Sequence, residues 1–209
     1  MTDILHILCG NYSVATAQAQ ELFLVADEKG ALLWKATGMM FEGCVLASTG
    51  KSSEAIERLT AGSIGYQSTG ATLFMTWFLS YLTPAYVELG QFNDAWRRIG
   101  EMMTAVQTTK ESWWEADLHR IAGEVALKSP EPDAAKAEAY FERALAVARQ
   151  QQAKSLELRA AMSMARLWRG QGKPQQAREL LAPVYGWFTE GFDTLDLKEA
   201  KALLDELVA

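Results

Sequence analysis

The segment STGKSSEAIERLTAG, residues 48–62, reads as the end of one helix, a tight turn and the start of another. Gly50 can supply the left-handed residue that commonly ends a helix. Ser52 is a natural cap for the helix that follows. Ala55 and Leu59 lie four residues apart, so they share one face, a small residue followed by a bulky one. Two helices joined by so short a turn fold back on each other, and they approach closely only where side chains are small.

The same grammar recurs along the chain. GNYSVA begins at Gly10, GKSSEA at Gly50 and GQFNDA at Gly90, each 40 residues after the last. GQGKPQQA carries Gly172, and the intervening turn, KSPEPDAAKA, has Pro130 and Pro132 in place of glycine. The alanine five residues after each glycine forms a second column: Ala15, Ala55, Ala95 and Ala177, joined by Ala137 if the proline turn holds a two-residue insertion. A third column lies seven residues before the turn: Gly43, Thr83, Gly123 and Ala165. Leu59, Ile99, Phe141 and Leu181 each follow their alanine by four residues. Asn93 and Asp133 join Ser52 as expected N-caps, and Pro174 suits a first helical turn. Three columns in phase predict an all-α chain of antiparallel helix hairpins with a period of about 40 residues.

The columns predict a partial hairpin at 1–29, hairpins at 30–69, 70–110, 111–152 and 153–191, and a capping helix at 194–208, all within one domain spanning 1–209. Thr194 or Asp196 would cap that last helix, whose stripe is Leu197, Ala200, Leu203, Leu204 and Leu207. Pro84, inside an otherwise continuous helix over 71–89, predicts a kink. Trp113 and Trp114 predict one core and one exposed ring, while Trp34, Trp96, Trp168 and Trp187 read as packing residues. The period leaves about 19 residues for the opening helix, yet nine precede Gly10. Either the first helix is shortened or the chain is the C-terminal part of something larger. The second reading is favoured, because solenoid ends are normally capped. The half-hairpin is also compatible with an end-to-end or swapped homodimer.

Composition narrows the function classes. Of 209 residues, 49% are apolar, and 26 acidic against 20 basic residues give a net charge of −6. An acidic balance argues against nucleic-acid binding. No apolar run reaches the roughly 18 residues of a membrane span. Cys9 and Cys44 are the only cysteines and His6 and His119 the only histidines. They offer neither a disulfide framework nor a metal-ligand spacing, which leaves a cytoplasmic location as the default and no cofactor. GKS at residues 50–52 lacks the upstream glycine of a phosphate loop, since Val45 stands there. GSIGY at 62–66 is not a nucleophile elbow. No set of nucleophile, base and orienting group emerges, so the chain reads as non-catalytic.

The small residue on the first helix, the aromatic or leucine three residues on (Leu46, Tyr86, Trp168), the turn glycine, and the alanine with its bulky partner together resemble the tetratricopeptide repeat family. MSMARLWRGQGKPQQARELLAPV, residues 162–184, carries the pattern most fully, and AYFERALAVA, residues 139–148, is typical of a second helix. The usual period is about 34 residues, so each helix here is longer; HEAT-type repeats have periods near 40 but lack these columns. The resemblance implies a right-handed α-solenoid with a C-terminal capping helix. The tail ARELLAPVYGWFTEGFDTLDLKEAKALLDEL, residues 177–207, is also similar to the C-terminal end of large bacterial signalling ATPases, some of which carry class III adenylate cyclase domains. That likeness implies a regulatory or sensor tail, with any cyclase or ATPase activity lying outside this segment.

In such solenoids the first helices line a concave face that takes peptides or helices. Counting from the small-residue column selects Thr37, Met40, Cys44 and Ala47; then Trp77, Ser80, Pro84 and Val87; then Asp117, Arg120, Glu124 and Leu127; then Arg159, Met162, Arg166 and Arg169. The expected groove is apolar at Met40 and Trp77, mixed at Asp117, Arg120 and Glu124, and basic beyond. Its arginines suit a carboxylate-bearing protein or peptide, unless Glu157 or Glu124 already pairs them. A second function class remains open: a small-molecule sensor, like the tetratricopeptide-like domains of some transcription activators, which would require an enclosed pocket.

Overall fold

A computed structural model describes residues 2–208. Among these, every regular element is a helix: α1 (Thr2–Leu8), α2 (Tyr12–Glu28), α3 (Leu32–Ser48), α4 (Ser52–Ser68), α5 (Met75–Ser80), α6 (Leu82–Glu88), α7 (Phe92–Thr109), α8 (Glu115–Lys128), α9 (Ala134–Gln150), α10 (Lys154–Gly170), α11 (Pro174–Tyr185) and α12 (Leu195–Glu206). The chain packs as two units, Met1–Glu111 and Ser112–Ala209. Among the described residues, no helix is long and apolar enough to cross a membrane.

Helix ends follow one device. The N–H of the residue after the turn reaches back five positions: Lys51 to the Leu46 carbonyl at 2.9 Å, Gln91 to Tyr86 at 2.8 Å and Lys173 to Trp168 at 2.9 Å. This bond forms only if the intervening residue is left-handed, and Gly50 has φ 78°. Left-handed residues recur at Gly10, Gly30, Gly50, Gly70, Gly90, Lys110, Gln152 and Gly172. The chain therefore reverses about every 20 residues up to Lys110, twice as often as the glycine column alone suggests. Lys110 and Gln152 lack the glycine signature, and the proline turn uses its own bond, from Asp133 N–H to the Ala126 carbonyl at 3.1 Å.

In the first unit, α3 and α4 run antiparallel. A Cβ on Gly43 would fall 2.6 Å from the Leu59 side chain, one on Gly62 would meet Met40, and one on Gly65 would meet Ala36. Gly38 lies against the α2 backbone, where a Cβ would come within 2.9 Å of the Phe23 nitrogen. In the second unit Gly123 of α8 gives way to the Phe141 ring of α9, with 2.4 Å left for a Cβ. Ala15, Ala55, Ala95, Ala137 and Ala177 are all fully buried, as are Thr83 and Ala165. The small-residue columns are thus where helices touch, and the bulky column fills the space they leave.

Several local expectations change. Asp133 caps α9 through the Lys136 N–H at 2.9 Å. Ser52 and Asn93 already lie inside their helices, behind Lys51 and Gln91, and the Ser52 hydroxyl donates instead to Glu88. Thr194 occupies the cap position of α12, but its hydroxyl donates to the Gly191 carbonyl. Pro84 has no N–H to return to the Ser80 carbonyl, and the helix breaks at Tyr81 into α5 and α6. Trp114 is buried and Trp113 half-buried. Trp34 and Trp187 are exposed at 55% and 58%, so neither is a packing residue.

Candidate partner-binding face

The residues selected for a groove divide by unit. In the first, Met40 and Trp77 are interior. Met40 fills the space opposite Gly62, and Trp77 packs edge-on to Phe41 at 6.1 Å and to Tyr81 at 5.2 Å. Thr37, Cys44 and Ser80 are buried too. This stretch of the expected groove is core, because Gly62 leaves room for Met40 and the Phe41, Phe78 and Tyr81 rings surround Trp77. Burial also pushes the Cys44 thiol well above its ordinary pKa, which leaves it inert. The GKS turn borders an open cleft of about 410 Å³ that also carries the Glu88 carboxylate, whose charge disfavours a phosphate there. The Glu88 carboxylate already accepts the Ser52 hydroxyl at the start of α4.

In the second unit the selected positions come together. α9 and α10 run antiparallel: Arg149 Nε donates to Glu157 Oε1 at 2.9 Å, and Trp168 Nε1 to Glu138 Oε1 at 2.7 Å. α8, α10 and α12 run parallel, with contacts that advance together along all three. Ser163 donates to Glu124 at 2.7 Å, Arg159 Nε to Asp196 Oδ2 at 2.7 Å and Arg166 to Glu199 at 2.8 Å; Arg169 pairs with Glu206. Neither Glu157 nor Glu124, the alternative to an incoming carboxylate, pairs these arginines. The partners are instead three carboxylates of α12. Glu157 serves Arg149 and Lys154, which hold its carboxyl below the usual range although burial alone would raise it. Met162 is buried and belongs to the core.

The α8 end of this face is an ionic cluster. Asp117, 3% exposed, takes Arg120 bidentately at 2.6 and 3.2 Å. Burial alone would raise its carboxyl pKa; Arg120, with Arg159 further off, outweighs that and holds it below the ordinary range. The same pairing pushes the Arg120 guanidinium up, against its own burial. Arg120 also reaches Glu124 at 3.9 Å, and Arg159 stands over the Trp114 ring at 5.9 Å. His119 lies beside Tyr140 at 6.3 Å, with Nε2 3.8 Å from Glu115. Burial, the largest influence, lowers its pKa, so it packs there neutral at pH 7.

The exposure of the pairs grades along α10. Arg159 and Asp196 are 17% and 24% exposed, Arg166 and Glu199 44% and 45%. What sequence reasoning missed is the acidic edge of α12. Asp196, Glu199 and Glu206 sit at spacings of 3 and 7, the mirror of Arg159, Arg166 and Arg169 at 7 and 3. Both triplets span ten residues on parallel helices, and that equality was the available signal.

The chain matches no protein-family model and no curated protein in sequence.

Proposed function

We propose that the chain is a non-catalytic protein-interaction module, an α-solenoid of tetratricopeptide-like hairpins whose partner face is built from first helices. What supports this is the parallel register of α8, α10 and α12, whose apolar contacts are flanked by a row of charged and polar pairs. Buried ion pairs contribute little net stability over apolar residues of the same size, but they favour recognition of a complementary charge pattern. The face is supplied with arginines, whose planar forks suit carboxylates. A regulatory tail of a bacterial signalling ATPase or adenylate cyclase is the setting suggested by the C-terminal sequence likeness, with a protein or peptide as partner.

Peptide selection on the full chain, followed by thermal shift, tests this reading. Peptides that bind should raise the melting temperature, because a ligand of the folded state stabilises it. They should also slow amide exchange in α8 and α10. Stabilisation by nucleotides or sugars, with no effect from any peptide, would favour the small-molecule sensor instead.

A further inference from the structure

We infer that the arginine face of α10 is a receptor for an acidic amphipathic helix, and that α12 is its resident occupant, competing in cis with such a helix offered by a partner protein. This rests on the interaction-module reading and names the ligand class and its regulation. Arg159, Arg166 and Arg169 form one row along α10, and each is answered by a carboxylate of α12. Charge complementarity therefore specifies the occupant. It is a helix that runs parallel to α10, carries carboxylates at i, i+3 and i+10, and presents an apolar stripe like Leu197, Ala200 and Leu203.

α12 is built to leave. It has 12 residues, and a helix that short is marginal without its packing surface. Two of its three pairs are about half exposed, so they fix register more than they add affinity. The connection from α11 is only partly packed: Trp187 and Phe192 are 58% and 47% exposed, though Phe192 lies 5.9 Å from the Tyr185 ring. Only the Arg159–Asp196 pair is well shielded, at the end where α12 begins.

The test uses the full chain and a fluorescent peptide of residues 193–208, with a control peptide carrying Asp196→Lys, Glu199→Lys and Glu206→Lys. The parent chain should bind the acidic peptide weakly, because its own α12 competes. Glu199→Lys/Glu206→Lys, at exposed positions, should loosen α12 and tighten that binding by about tenfold, the scale of two exposed pairs. Adding Arg166→Glu/Arg169→Glu restores both pairs with opposite sign. It should abolish capture of the acidic peptide and leave a preference for the reversed one. Circular dichroism confirms that each variant is folded. Equal binding of the two peptides, or no gain on loosening α12, overturns the inference. If other peptides still protect α8 and α10 while the acidic helix binds neither chain, the interaction reading survives and this one falls. If no peptide binds at all, both fall.

Discussion

The two units use the same helix-turn-helix grammar and both bury an apolar core, but they differ in what accompanies it where helices meet. In Met1–Glu111, helices meet where glycine replaces a side chain: Gly38 against the α2 backbone, and Gly43, Gly62 and Gly65 between α3 and α4. Aromatic rings then fill the core, with Phe41 5.2 Å from Phe78 and Trp77 4.9 Å from Phe78. In Ser112–Ala209 one glycine contact, Gly123 with Phe141, does that work, and the α8–α10–α12 face is joined by charges. Close packing specifies shape and tolerates no insertion. Charge pairing specifies register, is adjustable and responds to salt and pH. The same helical grammar thus carries glycine-mediated close packing in one unit and a row of charge pairs in the other.

The largest effect should come from breaking the buried pair on one side. Arg120→Ala leaves Asp117 buried with only the more distant Arg159 to offset its charge, and should cost up to about 3–5 kcal/mol in denaturant unfolding. Asp117→Leu/Arg120→Leu should recover most of that loss. If the single and double variants were equally unstable, the pair would matter for shape rather than charge. Next comes Gly38→Val, whose side chain must displace the Phe23 and Ala19 backbone; about 1–3 kcal/mol is expected from overpacking. Gly100→Ala, where a Cβ meets nothing, is the control and should be neutral or slightly stabilising.

Acid should distinguish the units as well. Asp117 and Glu157 both have folded-state pKa values below their ordinary ones. Such groups contribute stability that is present above the unfolded pKa and is lost as pH falls through the folded value. The second unit should therefore weaken as pH drops through about 4 and below. Amide exchange in α8 and α10 would report it, and Glu157→Gln should flatten the dependence. Equal acid sensitivity in α3 and α4 would contradict the contrast between the units.

The smallest effect concerns turn chemistry and shows what the sequence made legible. Turn glycines and buried alanines were readable because backbone geometry restricts those positions to one or two residue types. Gln152 turns the chain with φ 55° and no glycine, so it left no signal. Gln152→Gly should relieve a left-handed strain of about 1 kcal/mol, partly offset by glycine's greater freedom when unfolded. A melting temperature that falls would argue that the Gln152 side chain holds the turn. The groove was read less well. Angular position on a helix predicted Met40, Trp77 and Met162 at its surface, but exposure depends on what the neighbouring helix leaves open, and Gly62 leaves room for Met40 to sink. The partners of the arginines were missed for a related reason. They lie 33 to 37 residues away, and only the packing of α12 on α10 brings them near.

Amide exchange of the full chain, measured at about 0.05 M and about 1 M sodium chloride, tests the central contrast most directly. Added salt shortens the screening length from well over 10 Å to about 3 Å and weakens the half-exposed pairs first. Exchange in α12 should quicken several-fold while that of α3 and α4 stays within error. Equal acceleration in both regions, or an α12 indifferent to salt, would contradict the claim that charge pairs, added to its buried apolar stripe, set how this helix sits on α10.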